Sequence, residues 1–529
     1  MGEVTASPEV RLHFSKDASI IKIVPQIVVY PRNESDIRKT ARFSWQLAER
    51  GRLMPITARG GGSDTSGAAV GSGIILVFTA HLNRIVSLDP RKQVVTVEPG
   101  LTYDKLEQTL YTHGLFLPPY PGSKHYATIG GGIANNSIGE KTVKYGTTGK
   151  YVQSLRVVLA NGEVIQTGKL GKRELNRKLG LSTFEGEIYR KLDALIEENA
   201  ELIASAASRN TLSVSGYNLS EIKQGADFDL TPLFIGSQGT LGIITEAELT
   251  LAPHNPLVKM AIVSLDTLKD LEAVLPEILE LKPSVCDFIN QAALHQVSRV
   301  NPNQLKGSLE LPGAAVHMFI EFDDEKDGVQ KKALKKLARI IEKNGGYMKT
   351  AEKPEELEQL WKIRQSIATL FMQSKGQSKA VPVAEDVSVP VANLSEFLHR
   401  AAEIYGSVGM VAAAWGHAGN GVVRMHPVLD LGQVGDRQKL FKLSAGIYEA
   451  ALRLSGSITA ASGDGRVRAP YMSIEHGHDL YRLMLAIKQT FDPHGILNPG
   501  VKTATIKEVK EMIRGDYGLD HRHEYLPRS

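Results

Sequence analysis

The stretch Arg59-Gly60-Gly61-Gly62-Ser63-Asp64-Thr65-Ser66-Gly67 carries three consecutive glycines, and a second triplet lies downstream in Ala127-Thr128-Ile129-Gly130-Gly131-Gly132-Ile133-Ala134-Asn135-Asn136. Glycine adopts backbone angles that other residues avoid, and it lets another group come close to the backbone. Successive free N–H groups in such loops form a concavity that binds anions. Two loops of this kind predict a site for the two phosphates of a dinucleotide cofactor.

The two triplets match neither of the common nucleotide fingerprints. Gly71-Ser72-Gly73 is followed directly by Ile74, so the third glycine of G-x-G-x-x-G is missing, and the chain contains no G-x-x-x-x-G-K-[ST] loop. One triplet alone is typical of a flexible turn. Two triplets, joined to Pro121-Gly122-Ser123-Lys124 and to the glycine-rich run 239–245, favour a cofactor site instead.

Length and composition restrict the class of protein. A chain of 529 residues is too long for one core, so two or more domains are expected. The balance of 62 basic and 58 acidic residues argues against nucleic acid as a partner. The single cysteine, Cys286, excludes an intrachain disulfide and an iron–sulfur cluster. Apolar runs such as 74–78 are far shorter than the ~20 residues of a membrane span. We expect a cytoplasmic protein; peripheral membrane attachment and a homodimer stay open.

The sequence pattern changes at Pro253-His254-Asn255-Pro256. Upstream, residues 155–167 predict a hairpin whose Asn161-Gly162 forms a type I′ turn, and residues 233–251 predict two strands around a glycine-rich turn. Downstream, long helical stretches separated by short strands predict an antiparallel sheet with helices on one face. We therefore expect an α+β fold with a tail at 1–17, domains at 18–254 and 255–503, and a C-terminal helix and polar tail at 504–529.

Beyond these patterns, the chain resembles a known family. The runs RGGGSDTSGAAVG, VTVEPG, PGSKHYATIGGGIANNSIG, KYGTTGKYV, VVLANGEVIQTG and GSQGTLGIITEAELTL resemble the FAD-binding domain of the vanillyl-alcohol oxidase / p-cresol methylhydroxylase (PCMH) superfamily. The second half is similar to its D-lactate dehydrogenase / glycolate oxidase branch in WKIRQSIA, PVAEDVSVP, GHAGNGVVRMHP, GSITAASGDGRVRAPY and FDPHGILNPGVK. The resemblance implies a two-lobed PCMH-type FAD-binding domain followed by an FAD-linked oxidase C-terminal domain that covers the flavin.

The resemblance also assigns the residues that hold FAD. Some superfamily members tether the flavin to a histidine directly after the glycine triplet, and Ser63 occupies that position here, so we expect non-covalent FAD. The assigned cofactor-binding residues are Arg59, Gly60, Gly61, Gly62, Ser63, Asp64, Thr65, Ser66, Pro121, Ser123, Thr128, Ile129, Gly130, Gly131, Gly132, Asn135, Asn136, Tyr145, Gly146, Gly239, Gly242, Ile244 and Asn498.

The substrate side departs from the family pattern. Relatives carry two histidines, seven residues apart, as metal ligands; here the first is His417 and the second is replaced by Arg424. A later motif that supplies a glutamate ligand and a histidine reads Ala461 and Ser462. A divalent metal needs about three or four protein ligands, so we expect no metal. A rearranged site that uses His426 and Glu385 is the alternative.

Five residues are the candidates for catalysis: His417, Arg364, Arg424, His426 and Glu385. Arg364 matches the arginine that grips the substrate carboxylate in relatives, although an ordinary helix-surface arginine is the alternative. Arg424 is the candidate to replace the charge of the metal. Either His417 or His426 is the candidate base, with a structural role as the alternative for His426.

The expected function is FAD-dependent oxidation of a small 2-hydroxy acid of the D-lactate or glycolate kind, by hydride transfer to the flavin and without the family's metal. Metal-free relatives act on sugars and polyols, so a sugar or polyol oxidase is one alternative. A flavin-binding subunit without its own dehydrogenase activity is another. The electron acceptor stays open among oxygen, a quinone and a separate redox protein.

Overall fold

The computed structural model describes residues 2–207, 211–306, 308–368, 370, 376–382 and 384–518. The first lobe is built on a four-stranded sheet in the order Glu3–Thr5, Ile27–Tyr30, Ile74–Val77 and Ile56–Arg59. Ile74–Val77 pairs in parallel with the strands on both sides, and its four apolar residues are all buried, as a parallel strand covered on both faces requires. Arg59 ends its strand, so the first glycine triplet begins at the carboxyl edge of the sheet.

The second lobe contains a five-stranded antiparallel sheet in the order Ile85–Asp89, Val94–Val97, Ile243–Thr250, Val152–Val158 and Val164–Gln166. Along Ile243–Thr250, buried residues alternate with half-exposed ones, which is the pattern of a sheet covered on one face. Helices pack with this sheet into one core, namely Tyr103–Tyr111, Ile129–Asn135, Phe184–Glu198 and His478–Phe491.

A seven-stranded antiparallel sheet forms the centre of the second half, in the order Tyr347–Ala351, Lys259–Leu265, Val316–Phe322, Val285–Asn290, Ala414–His417, Val422–Met425 and Ala384–Ser388. One face packs against helices Leu268–Leu279, Asp327–Lys343, Leu394–Gly406 and Val434–Arg453. The other packs against Gln291–Val300 and Pro354–Gln365. The prediction of helices on one face was therefore wrong, because both faces of Lys259–Leu265 are apolar and buried.

The remaining elements are short or peripheral. The other helices are Pro8–His13, Glu34–Glu49, Thr142–Tyr145, Lys172–Leu179, Ala200–Ala207, Thr231–Phe234, Met472–His476 and Ile506–Met512, with 3₁₀ turns at Thr148–Tyr151, Val391–Asn393, Ala418–Asn420 and Ala469–Tyr471. Two-stranded pairs join Leu115–Phe116 to Ala252–Pro253, Lys223–Gln224 to Asp227–Phe228, and Lys379–Ala380 to Val428–Leu429. In the part of the chain that the structure describes, no helix has the length and apolar character to span a bilayer.

Mixed helices and sheets confirm the α+β class, but local predictions differ from the structure in three places. Residues 3–5, expected within a tail, pair with Ile27–Tyr30; a three-residue strand is too short to show a period. Residues 233 and 234, at the start of the predicted strand, belong instead to helix Thr231–Phe234, whose second residue is a proline. At the hairpin, Gly162 alone takes the left-handed conformation (φ 85°) and its N–H donates to the Leu159 carbonyl, so the turn is not type I′.

After the Pro253–Pro256 junction, part of the chain returns and packs on the first half of the protein. Helix His478–Phe491 completes the core of the second lobe. In the first lobe, the Ile56 N–H donates to the Ile496 carbonyl at 2.7 Å. Part of the segment expected as the second domain thus packs on the first, and it brings Asn498 to the cofactor wall.

Candidate active site

One cavity of about 1330 Å³ lies between the two lobes and the second half of the chain. The glycine loops of the first half line one end, and the face of the seven-stranded sheet lines the other. The cavity therefore joins the predicted cofactor residues to all five predicted catalytic residues.

The first glycine loop is distinguished by its backbone N–H groups. Among the described residues, the backbone N–H groups from Gly60 to Thr65 donate to no protein acceptor, although most of this loop lines the cavity. A Cβ on Gly60 would collide with Thr128, and one on Gly61 with the carbonyl of Tyr126. These glycines are needed because the loop lies against its neighbour, which leaves its N–H groups facing the cavity.

The second glycine loop plays a different part from the one expected. Its N–H groups are engaged within the protein: Gly130 donates to the Pro99 carbonyl at 2.9 Å, Gly131 to the Thr128 hydroxyl at 3.3 Å, and Gly132 to the Thr128 carbonyl at 2.8 Å. A Cβ on Gly131, however, would meet only that hydroxyl, at 3.3 Å, and would project towards the cavity. This loop therefore allows close approach but offers no free N–H groups at its triplet.

Buried charges surround the first loop. Asp64 lines the cavity, and its oxygens accept hydrogen bonds from the N–H groups of Ser66 and Ala68 and from the amide of Asn135. Burial and the neighbouring Asp17 together raise the pKa of Asp64 to about 6. Arg59 is 7% exposed and donates to the Ala69 carbonyl at 3.1 Å. Asp17 was missed from the sequence because it lies in a stretch without a recognisable motif.

Most of the predicted cofactor residues line the cavity: Arg59, Gly60, Gly61, Gly62, Ser63, Asp64, Thr65, Pro121, Ser123, Thr128, Gly130, Gly131, Gly132, Asn135, Gly239, Gly242 and Ile244. Ser66, Ile129, Asn136 and Asn498 instead lie behind the wall and hold it. Asn498, for example, donates to the carbonyls of Ala68 and Gln238, at 2.8 Å each.

Tyr145 and Gly146 are corrections to the predicted set. The Tyr145 hydroxyl donates to Asp323 Oδ2 at 2.9 Å, in an ion cluster where Lys141 Nζ and Lys144 Nζ also bind Asp323. These contacts join the first half of the chain to the end of strand Val316–Phe322. Tyr145 therefore fastens the two halves together, and neither Tyr145 nor Gly146 lines this cavity.

Gln238 is a cavity residue that the sequence did not reveal. It is non-glycine with a left-handed backbone (φ 54°), and its Nε2 donates to Asn135 Oδ1 at 3.0 Å and to the Ser462 carbonyl at 3.1 Å. Its Oε1 accepts from the Gly465 N–H at 2.8 Å. One side chain thus links the second glycine loop to the opposite side of the cavity, which explains why the strained backbone is tolerated.

Strand register gathers the candidate catalytic residues on one face of the seven-stranded sheet. Trp415 pairs with Ile289 on one side and with Arg424 on the other. Because side chains alternate along a strand, Asp287, His417 and His426 point to the same face as Trp415. Arg364 reaches this face from helix Pro354–Gln365.

Asp287 holds two of these residues at once. Its Oδ1 accepts from His417 Nδ1 at 2.7 Å, and its Oδ2 accepts from Arg364 Nε at 2.7 Å, with Arg364 Nη2 also 2.7 Å away. Although burial raises the pKa of Asp287, His417 and Arg364 lower it below its usual range. Because Nδ1 donates, a neutral His417 presents an unprotonated Nε2. Sequence reasoning missed Asp287; its signal was a lone carboxylate inside the apolar strand Val285–Asn290.

Glu385 makes a second cluster beside the first. Arg424 Nη1 donates to Glu385 Oε1 at 2.6 Å, and His426 Nε2 lies 3.6 Å from the same oxygen. Burial favours the neutral acid, but His426 and Arg424 outweigh it and hold the pKa of Glu385 far below its usual range. The His426 ring also packs edge-on against Trp415, with centroids 5.1 Å apart.

Ala461 and Ser462 line the cavity beside these clusters, and their backbone N–H groups both donate to Asp386 Oδ2 at 2.7 Å. Asp386 is itself paired with the buried Arg468 at 2.6 Å. Across the described ranges, no group of three or more histidine, cysteine, aspartate or glutamate side chains is arranged to hold a metal ion.

Comparison with known proteins identifies the two halves. The family described as FAD binding domain matches residues 25–168, and the family described as FAD linked oxidases, C-terminal domain, matches residues 255–501. The chain combines an FAD-binding domain with an FAD-linked oxidase C-terminal domain, and FAD is its cofactor. The predicted PCMH-type fold and C-terminal domain are confirmed.

Several curated relatives are similar along most of this chain. D-2-hydroxyglutarate dehydrogenase of Escherichia coli (strain K12) is 29% identical over 520 residues, which cover 94% of this chain and 50% of that protein. Glycolate oxidase subunit GlcD of Bacillus subtilis (strain 168) is 29% identical over 499 residues, covering 93% and 92%. D-lactate dehydrogenase of Archaeoglobus fulgidus is 27% identical over 475 residues, covering 90% of each. The chain thus spans about half the length of the D-2-hydroxyglutarate dehydrogenases that it matches.

Solved structures share the fold at low identity. p-Cresol methylhydroxylase with substrate bound has a TM-score of 0.70 at 16% identity, covering 95% of this chain and 94% of that one. Alkyldihydroxyacetonephosphate synthase has a TM-score of 0.62 at 16% identity, covering 94% and 83%. The described residues fit FAD: the loop from Gly60 to Thr65 offers unpaired N–H groups to phosphates, and Gly131 leaves the space that a Cβ would fill.

Proposed function

We propose that this protein oxidises a small 2-hydroxy acid with FAD and without a metal. The observation that carries the proposal is the buried Asp287, which holds a candidate carboxylate-binding arginine and a candidate base on one wall of the cavity. Relatives named D-lactate dehydrogenase, D-2-hydroxyglutarate dehydrogenase and glycolate oxidase subunit GlcD support this class of substrate.

His417 acts as the base in this proposal. FAD, when bound, supplies the acceptor for the hydride that leaves the substrate carbon. Loss of that hydride requires the hydroxyl proton to leave as well, and His417 Nε2 is suited to take it because Asp287 holds the Nδ1 proton. Asp287 also stabilises the imidazolium that forms, as a carboxylate does beside a catalytic histidine.

Arg364 binds the substrate carboxylate. Its Nε and Nη2 face Asp287, whereas Nη1 has no hydrogen bond to any described residue. Its burial, at 8% exposed, supports this role over that of an ordinary surface arginine. A planar guanidinium can hold one carboxylate through one edge and present the remaining N–H groups to another.

Arg424 supplies positive charge where relatives carry a metal-ligand histidine, and Glu385 fixes its guanidinium. A positive charge near the substrate oxygen stabilises the alkoxide-like transition state. A bound metal ion would have the same effect. His426 lies at Glu385 rather than at Asp287, so we assign it to the support of this pair and assign the base to His417.

A metal-independent sugar or polyol oxidase is the second candidate. It is favoured by one observation: Asp287 and Glu385 already neutralise Arg364 and Arg424, so the cavity wall carries little net charge for an acid. The third candidate belongs to a different class of function: a flavin-binding subunit without dehydrogenase activity. This candidate is supported if no substrate reduces the flavin.

A substrate panel separates these functions. Purified protein with FAD is mixed anaerobically with D- and L-lactate, glycolate, D-2-hydroxyglutarate, xylitol and sorbitol, and loss of oxidised-flavin absorbance is followed. Bleaching by 2-hydroxy acids alone supports the proposal. Bleaching by polyols alone selects the second candidate, and no bleaching by any compound selects the subunit.

Metal content tests the remaining part of the mechanism. Arginine cannot be deprotonated to bind a metal, so dialysed protein should hold no stoichiometric zinc or manganese, and EDTA should leave its rate unchanged. One equivalent of metal, with activity lost to EDTA and restored by that metal, contradicts the proposal and favours a site that uses His426 and Glu385. The domain limits 18–254 and 255–503, the cytoplasmic location, the homodimer and the electron acceptor stay predictions.

A further inference from the structure

A segment beyond both matched family regions reaches the active-site cavity. Helix Ile506–Met512, capped by the Thr505 hydroxyl, is followed by residues that run beside the N-terminal stretch 15–23. The Lys22 N–H donates to the Met512 carbonyl at 2.9 Å, and the Arg514 N–H donates to the Ile20 carbonyl at 3.0 Å. The segment is thus fixed to the rest of the protein by backbone hydrogen bonds.

The same segment packs into a hydrophobic cluster drawn from three parts of the chain. Ile513 and Tyr517 lie in this cluster with Ile20 from the N-terminal stretch, Val70 from the first lobe and Val381 from the second half. An ion pair between Lys16 and Asp516, 2.6 Å apart, adds a contact at the surface. A cluster shared by three regions leaves little freedom for the residues that it contains.

Tyr517 carries this segment into the cavity wall. Its ring lines the cavity and is 9% exposed, its hydroxyl donates to the Ala18 carbonyl at 3.0 Å, and the Arg514 guanidinium lies 4.6 Å above the ring. Ala18 lines the cavity as well. A hydrogen bond at one end and a cation over one face hold the aromatic ring in a single place.

Tyr517 lies near the substrate end of the cavity, because its cluster includes Val381, whose N–H donates to the carbonyl of Pro427, the residue after His426. Burial raises the pKa of Tyr517 well above its usual range, Arg514 opposes this, and Glu385 and Asp17 raise it further. The ring therefore serves as a rigid, uncharged surface in the cavity wall.

We infer that the segment 505–518 is a part of the active site and that Tyr517 is a specificity-determining residue, whose ring limits the size of substrate at this end of the cavity. The kinetic part of this inference rests on the proposed function. A fixed ring rejects long substrates and gives short ones a surface to pack against, so its removal changes the order of preference.

Three variants test the inference: Tyr517→Ala removes the ring, Tyr517→Phe keeps the ring without the hydroxyl, and Glu511→Ala changes an exposed residue on the same segment. We measure kcat/KM for glycolate, D-lactate, D-2-hydroxybutyrate and D-2-hydroxyhexanoate. In Tyr517→Ala, the ratio of the longest to the shortest substrate should rise by about tenfold or more, which is the scale of discrimination by apolar pockets. Tyr517→Phe and Glu511→Ala should keep the ratio of the wild type. An unchanged ratio in a folded Tyr517→Ala protein overturns the inference.

A second measurement does not depend on the substrate. Iodide quenching of bound-FAD fluorescence reports access of solvent to the cavity, and Tyr517→Ala should be quenched several-fold more steeply than the wild type and Glu511→Ala. If no hydroxy acid reduces the wild-type flavin, the proposed function fails while this measurement still tests the wall. Equal quenching in all variants shows that Tyr517 does not close the cavity.

Discussion

Asp287→Asn is the sharpest test of the active-site geometry. The carboxylate accepts hydrogen bonds on both oxygens, and an amide can accept on only one. Because the Arg364 guanidinium can only donate, the amide oxygen has to face it. The NH₂ group then faces His417 Nδ1, which forces the other tautomer on the imidazole and leaves Nε2 protonated. The variant therefore keeps its shape and loses its base.

The size of the effect follows from this exchange. Loss of a general base costs about 10²–10⁴-fold, and a wrong histidine tautomer in serine proteases lowers kcat by about 10⁴. We expect the rate of flavin reduction by substrate to fall by about 10³–10⁴, which corresponds to about 4–5 kcal/mol of activation free energy. The buried Arg364 loses its counter-ion as well, and an uncompensated buried charge costs about 3–5 kcal/mol of the free energy of unfolding.

The assay measures the single-turnover rate at which substrate reduces the bound flavin, under anaerobic conditions after rapid mixing. Chemical denaturation of the same samples gives the free energy of unfolding. Asp464→Asn is the matched control, because Asp464 is a fully buried carboxylate paired with Lys502 at 2.7 Å and does not line the cavity. It should lose stability and keep its rate of flavin reduction. Reduction of the flavin in Asp287→Asn within about tenfold of the wild-type rate would refute the assignment of His417 as a base held by Asp287.

Four further predictions concern the cofactor and the substrate. Gly131→Val should abolish FAD binding and lower the melting temperature, since the valine side chain enters the cavity. The control Gly435→Val, at an exposed helical glycine with open surroundings, should still bind FAD and stay yellow. Full FAD occupancy in Gly131→Val contradicts the prediction. Acid precipitation should release all the flavin, because Ser63 cannot form the histidyl link, and a yellow pellet would show a covalent bond. Arg364→Lys should lower kcat/KM for an acid substrate by about tenfold or more beyond any loss for a neutral alcohol, since lysine keeps the charge without the planar fork, and equal losses argue for a structural role. Asp64 binds its proton more tightly in the folded apoprotein, so its contribution to stability is complete below pH 3.8 and is lost as the pH rises through about 6. Over this pH range, the free energy of unfolding of the wild type relative to Asp64→Asn should fall by about 3 kcal/mol, as measured by denaturation at both ends. A difference that does not change with pH contradicts the raised pKa of Asp64.

The fold could be predicted largely from local signals. The glycine triplets, the change of pattern near Pro253 and the long helices of the second half each depend on neighbours in sequence, and the structure has the corresponding elements within a few residues. Thr102, a residue type favoured at the start of helices, caps the observed helix Tyr103–Tyr111. Where the prediction failed, as at 231–234, a short apolar run was compatible with either helix or strand.

The site was harder to predict from the sequence than the fold, because its decisive contacts join residues that are far apart in the chain. Asp287 and His417 are 130 positions apart, and Tyr517 contacts Ala18 across 499. A carboxylate within an apolar strand does signal a buried partner, but the sequence does not say which one. The role of the second glycine loop was also beyond sequence reasoning. Among the described residues, the same triplet pattern leaves its N–H groups without protein acceptors in one loop and packs against Pro99 in the other.

The return of residues 496–498 to the first lobe has a consequence for biosynthesis. Thr57 donates to the Asn498 side chain across 441 positions, and Ile56 forms a bridge with Leu497 at the edge of the sheet from which the first glycine loop departs. As the chain leaves the ribosome, this lobe stays unfinished until residues 496–498 have been made, and closing so long a loop is entropically costly. Such late contacts slow folding and leave apolar surface exposed in the meantime. The nascent protein therefore acquires its FAD after translation of these residues, and the cofactor favours the finished state by mass action.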